Sequence, residues 1–147
     1  MEPKIAMITV AERPTAVIAA RTTWPQFPDV WRRLLGEVHG NVRWGGAGRK
    51  GRNVMLYRDD VPNVEVGVEA DQPVQVEGRV VRSVLPAGAV AMTVHRGPYE
   101  NLGQTYDALL RWCAEHGFER AGPHWEIYGH HHDDPARLET EIYYLLR

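Results

Sequence analysis

The chain of 147 residues carries 17 Lys and Arg against 19 Asp and Glu, a formal charge of −2, and one cysteine. That length suits a single domain over 1–147, able to bury roughly 70% of its extended surface without disulfide or metal. The balance gives no basic footprint for nucleic acid, no run reaches a membrane span and no secretory leader opens the sequence, so the expectation is a cytoplasmic protein with neither nucleic acid nor membrane as partner.

Ile5 to Val10 and Ala16 to Thr22 are apolar, partly β-branched runs around Glu12-Arg13-Pro14, which predicts two strands. A helix follows Trp24-Pro25, because Phe27, Val30, Trp31, Leu34, Leu35 and Val38 repeat as one buried stripe, and Gly40 ends it. Those six positions read as core. Residues 41–52 read as a Gly-rich basic loop. Its Gly46-Ala47-Gly48-Arg49-Lys50-Gly51 matches a dinucleotide-binding pattern in letters only. A helix precedes it and a strand follows, the reverse of the context whose helical amides receive a pyrophosphate. Asn53 to Tyr57 and Asn63 to Glu69 predict paired strands, with Val64, Val66 and Val68 opposed to Glu65, Gly67 and Glu69. Val74 to Leu85 and Ala89 to His95 repeat the opening pair.

The second half is the more informative. Gly97-Pro98 breaks a strand, Leu102, Tyr106, Leu109, Leu110 and Cys113 form a helical stripe, and Gly117 is placed to cap that helix. On that apolar face Cys113 is a packing group rather than a nucleophile. In the strand that ends at Tyr128, alternation puts His124, Glu126 and Tyr128 on one face and Trp125 and Ile127 on the other. An acid between aromatics, opposite an apolar face, describes a pocket floor, or else one end of a cross-strand ion pair. The run His130-His131-His132-Asp133-Asp134 reads as a solvated turn, since adjacent histidines converge poorly on one ion. The last strand, Glu139 to Leu146, sets Ile142, Tyr144 and Leu146 against Glu141, Tyr143 and Leu145.

The halves repeat one another, roughly 1–73 and 74–147. Val17 and Val90 differ by 73, Trp24 and Tyr99 by 75, Leu34 and Leu109 by 75, Tyr57 and Tyr128 by 71, and Val66 and Ile142 by 76. On that alignment Met55 stands where the other half has Glu126.

The combination His95-Arg96-Gly97-Pro98-Tyr99, a helix holding Trp112, Gly122-Pro123-His124-Trp125-Glu126-Ile127-Tyr128 and a closing Thr140-Glu141-Ile142-Tyr143 resembles the GyrI-like small-molecule-binding family, over about the last sixty residues. The resemblance implies an α+β fold of two pseudo-twofold strand–helix–hairpin repeats, forming a curved antiparallel sheet with helices on one face and a ligand groove on the other. It also implies a partner that is a small aromatic or cationic ligand, and no cofactor. Ligand-binding candidates are Trp24, Met55, Tyr57, Tyr99, Glu126, Tyr128 and Tyr143, the acid as counter-charge and the rings as walls. Each ring taken singly suits core packing as well as ligand contact. With its first strand starting near residue 4, the chain is expected to be a stand-alone binder rather than a regulator. Some stand-alone relatives in the family hydrolyse cyclopropane-containing DNA alkylators. On that alternative Glu126 and Tyr99 are catalytic, the first activating water and the second holding a substrate carbonyl, with Trp24 and Tyr143 gripping the rings. A gyrase partner, suggested by the family name, has little support in the charge pattern. The resemblance gives His95 the task of orienting its turn, and nothing in the sequence sets an oligomeric state.

Overall fold

The computed structural model describes residues 4–46 and 50–147. In chain order the elements are β1 (Ile5–Val10), β2 (Arg13–Arg21), α1 (Phe27–Gly40), β3 (Val42–Trp44), β4 (Asn53–Tyr57), β5 (Asn63–Glu69), β6 (Val74–Val76), β7 (Val81–Leu85), β8 (Gly88–Arg96), α2 (Leu102–Glu115), β9 (Arg120–Tyr128) and β10 (Glu139–Leu146). The helices begin and end for local reasons. Pro28 occupies the first turn of α1, where a missing N–H costs nothing. After α2, Gly117 takes a positive φ of 71°, and Phe118 N–H and Gly117 N–H donate back to Cys113 and Ala114 carbonyls at 2.9 and 3.2 Å. That is the left-handed cap its position predicts.

Eight strands form one antiparallel sheet in the order β1-β8-β10-β9-β4-β5-β2-β7, symmetric about the β4–β9 pair. The ladder sets Met55 directly opposite Glu126 at that centre, so each residue faces its own counterpart in the other half. Moving outward, Val66 and Ile18 follow Met55, while Ile142 and Thr93 follow Glu126. This buried row holds a single ionisable member, Glu126. The same register pairs Ile18 with Thr93 as counterparts, 75 positions apart, so the partner of Val17 is Met92 and the expected match to Val90 is two residues out.

The curvature follows from connectivity. β1 and β2 lie in opposite halves of the sheet yet are joined by only Ala11 and Glu12, and β7 and β8 by only Pro86 and Ala87. Pairs Val10–Gly88 and Arg13–Leu85 belong to one continuous antiparallel register. The two long segments therefore make a single ribbon whose ends serve opposite edges of the sheet, and a link of two residues spans only about 10 Å. The sheet must curl until its edges meet. It curls toward the face of Val17, Val54, Leu56, Trp125 and Ile127, which packs against Val10 and Leu85 of the ribbon. Gly67 allows this, since a Cβ there would sit 1.9 Å from the Ala16 carbonyl oxygen.

Both helices cover the opposite, convex face: Leu34 and Val38 of α1 over Met55, Val64 and Val66, and Leu109 and Cys113 of α2 over Ala91, Ile142 and Tyr144. Cys113 is a buried packing group there, and burial pushes its thiol up. Two segments depart from expectation. Val42–Trp44, read as loop, pairs as β3 with β6, and the long strand expected from Val74 to Leu85 is split by a turn at Gly78 (φ 58°). Residues 47–49 of the Gly-rich pattern lie outside the described residues.

Candidate functional site

Because Glu126 belongs to the convex row, it lies between the two helices and not on the open face where the groove was expected. The open face is consumed by the curl, while the first turns of the two helices leave space between them. Glu126 is 3% exposed. Tyr106 Oη, from α2, donates to its Oε2, and Tyr128 Oη donates to Oε1. Tyr57 adds a third hydroxyl. Burial raises the carboxyl above its ordinary value, and the three hydroxyls pull it down only in part. Among the described residues no basic side chain offsets that burial. The tyrosines respond in kind: burial, then the neighbouring carboxylate, raises Tyr57, Tyr106 and Tyr128.

Above this cluster, between the starts of α1 and α2, lies a cavity of about 700 Å³ walled by Phe27, Trp31, Leu102, Tyr99 and Tyr128, with Glu100 and His131 at its rim. Tyr128 joins the two, one end of its ring on the cavity and its hydroxyl on the acid. Tyr99 stands edge-on to Tyr128 at 5.8 Å and is 45% exposed at the mouth. Trp31 tilts against Tyr128 at 6.2 Å, and its Nε1 is buried without a hydrogen-bond partner among the described residues. His95 fixes the turn that carries Tyr99. Its Nε2–H donates to the Pro98 carbonyl at 3.0 Å, which leaves Nδ1 to accept from Thr105 Oγ1 at 2.6 Å.

A ladder of rings extends from the acid toward the other end of the sheet. Trp24 stacks on Tyr57 at 5.8 Å, Tyr57 on His124 at 4.5 Å and His124 on Tyr144 at 4.6 Å, with the Arg120 guanidinium 5.5 Å from the Tyr144 centroid. Desolvation inside this stack pushes His124 down to about 4.

Of the seven ligand-binding candidates, Tyr99 and Tyr128 line the cavity, Glu126 and Tyr57 lie beneath it, and Met55 backs the acid from across the strand pair. Two are elsewhere. Trp24 caps the outer side of Tyr57 and donates Nε1–H to the Asp60 carbonyl at 3.1 Å. Tyr143 is on the concave face, stacked on Trp125 and bonded to Glu141, because alternation along β10 opposes it to Ile142 and Tyr144. Tyr106, Phe27 and Trp31 were assigned to core stripes, yet one holds the acid and two form walls. The i, i+3, i+4 pattern marks a helix face and cannot separate residues over packed sheet from those over a gap. The histidine run is exposed at 130–132, with His131 at the rim and 3.3 Å from Asp133. Among the described residues no group of His, Cys, Asp and Glu has the arrangement of a metal site, and no helix is long and apolar enough to cross a membrane.

The sequence profile of the GyrI-like small molecule binding domain matches residues 59–147. No curated protein sequence matches the chain. Among solved structures it is similar to the EcmrR C-terminal domain (TM-score 0.75, 20% identity, 100% of this chain and 99% of that one). It is also similar to SAV2435 bound to tetraphenylphosphonium (0.70, 12%, 100% and 94%). A third is a hydrolase from Listeria innocua (0.65, 14%, 99% and 93%). At these identities the likeness is one of fold.

Proposed function

The chain belongs to the GyrI-like small molecule binding domain family, and from that premise we propose that its cavity takes up aromatic cations, with Glu126 as counter-charge and Tyr99, Tyr128, Phe27 and Trp31 as walls. The observation that carries this reading is a buried carboxylate without a cationic partner among the described residues, separated by one tyrosine ring from a cavity of about 700 Å³. Its volume falls within the roughly 300–1,000 Å³ usual for small-molecule sites. An ionised carboxylate in that surrounding is costly, and a delocalised cation with aromatic faces removes the cost while burying ring area. The structurally similar SAV2435 binds one such cation, tetraphenylphosphonium.

A cation resting on Tyr128 lies roughly 7 Å from the carboxyl, which at an effective dielectric of about 20 gives about 2 kcal/mol, or roughly thirtyfold in affinity. Calorimetry with a cationic triarylmethane dye and its neutral leuco form, on the wild type and Glu126→Gln, tests this. The variant should lose the cation by that factor and leave the neutral form unchanged. Equal losses would make Glu126 a structural residue.

A second reading is hydrolysis of strained-ring alkylators, supported by the raised carboxyl, suited to a general base, and by the fold shared with the Listeria hydrolase. Tyr99, exposed at the mouth, would hold the substrate carbonyl. Binding is the better supported because three tyrosine hydroxyls already crowd the two Glu126 oxygens, which leaves little room for an attacking water. Incubation with a spirocyclopropyl dienone, followed by mass detection of the water adduct, decides between them. Turnover lost in Glu126→Gln would establish the enzyme.

A further inference from the structure

At the far end of the ring ladder from the large cavity lies a second hollow, of about 280 Å³, lined by Asp60, Arg120, Gly122, His124 and Tyr144. Strand register makes it. Tyr144 pairs with His124 and Leu146 with Arg120, so three residues of β9, 121–123, span the single residue Leu145 of β10. Such a bulge bends a strand and re-aims its side chains, and here the Arg120 guanidinium stands 5.5 Å from the Tyr144 centroid. The β4–β5 turn brings Asp60 to the same place. Its carbonyl accepts Trp24 Nε1–H at 3.1 Å, and the Asp59 carboxylate accepts from Val61 and Asn63 N–H at 3.0 and 2.8 Å, so the turn is fixed from both sides.

Two mostly buried polar groups face this hollow with nothing to bond. Tyr144 is 6% exposed, yet its hydroxyl has no partner among the described residues and is not sealed from solvent. It opens where its ring does, into the hollow. Tyr57 and Tyr144 cover the two faces of the His124 imidazole at 4.5 and 4.6 Å, which leaves only its edge, and neither ring nitrogen has a partner among the described residues. Desolvation in the stack holds that ring neutral, down at about 4, so at neutral pH it offers one N–H and one bare nitrogen. Polar groups removed this far from bulk water are nearly always bonded to something.

The charges at the mouth then choose the guest. Asp60 favours and Arg120 opposes a charge on His124, so both stand within electrostatic reach of that ring, and neither is in an ion pair among the described residues. Opposite charges that share a hollow without meeting leave a gap between them. A lone cation there faces Arg120 and a lone anion faces Asp60, whereas a molecule carrying both signs satisfies each. The volume falls just under the roughly 300 Å³ at which drug-sized sites begin, so the guest is small.

We propose that this hollow binds small zwitterions of the α-amino-acid kind, the carboxylate held by Arg120 and the Tyr144 hydroxyl, and the ammonium by Asp60 and the bare nitrogen of His124. It does not rest on the function proposed for the larger cavity, with which it shares no lining residue.

The test is an NMR titration at pH 7 with L-alanine, and with ethylammonium and propionate, which each keep one of its two charges. The His124 ring signals report this hollow and the Trp31 indole N–H reports the larger cavity. Alanine should shift His124 saturably and more tightly than either analogue, while Trp31 stays still. Asp60→Asn and Arg120→Gln, both at exposed positions, should each weaken alanine by roughly two- to fivefold. Tyr144→Phe, which removes only the unbonded hydroxyl, should weaken it by roughly two- to tenfold with a thermal melt close to that of the wild type. The proposal is overturned by the absence of a saturable shift at His124, by equal affinity for the three compounds, by a shift of Trp31 in place of His124, or by wild-type affinity in all three variants.

Discussion

Replacing Glu126 by Gln separates two proton equilibria that the fold sets two residues apart on one face of β9. Burial holds the Glu126 carboxyl above its ordinary 4.5, so the folded chain keeps that proton more tightly than the unfolded chain does. Its stabilising share is whole below that value and falls by about 1.4 kcal/mol per pH unit as pH rises toward the raised one. His124 has the opposite sign. Its folded value is about 4 against an ordinary 6.5, so the unfolded chain binds the extra proton between those limits. Stability is lost there as pH falls, up to about 3 kcal/mol over the window. Where the windows overlap, above 4.5, the slopes oppose and the wild type should be nearly level with respect to these two groups. Glu126→Gln removes one of them. Its stability relative to wild type should therefore grow by about 1.4 kcal/mol per unit from pH 4.5 upward, then level off once the wild-type carboxyl has ionised. Urea unfolding of both proteins at closely spaced pH values measures that difference, and other titrating groups drop out of it. Parallel curves would mean that Glu126 is not desolvated in the folded state, and the account of the site would fail.

Tyr106→Phe should raise the Glu126 carboxyl further and cost about 1–3 kcal/mol at pH values where it is ionised, with a smaller loss in acid, by urea unfolding at two pH values. Tyr143→Phe, on the far face, should cost about 1 kcal/mol through the lost bond to Glu141 and leave the affinity for tetraphenylphosphonium unchanged by calorimetry. Gly67→Ala should destabilise by roughly 2–4 kcal/mol, because its Cβ collides with backbone rather than with a side chain that could move. A thermal melt within a degree of wild type would refute the close approach that permits the curl.

Alternation along β9 and the α1 and α2 stripes were legible because they are local: His124, Glu126 and Tyr128 do share a face, and Leu34, Val38, Leu109 and Cys113 are core. The side of the sheet that holds the site was not. Alternation separates the faces without saying which one the helices cover, and that choice depends on the ribbon register between residues 5–17 and 81–93. Other long-range pairings decide that Val42–Trp44 finds β6, and that Tyr143 sits opposite Trp125. Tyr106 was hidden by its own stripe, since a tyrosine whose ring packs in a core row can still aim its hydroxyl out of it.

The asymmetry at the centre of the sheet explains how a pseudo-twofold scaffold yields one charged site. Met55 and Glu126 face each other across the seam, so a residue at either position is within reach of both halves. An acid at both would set two buried carboxylates side by side, and one would have to stay protonated. With a methionine on one side, the remaining carboxylate is served by Tyr57 from the first half and by Tyr128, its counterpart 71 positions on, from the second. The helices then divide their tasks. Tyr106 of α2 gives the acid a third hydroxyl, while the residue 75 positions before it, Trp31 of α1, walls the cavity and keeps an indole N–H without a partner among the described residues. The second half thus supplies the charge while both halves wall the space beside it, an asymmetry that two identical halves could not make.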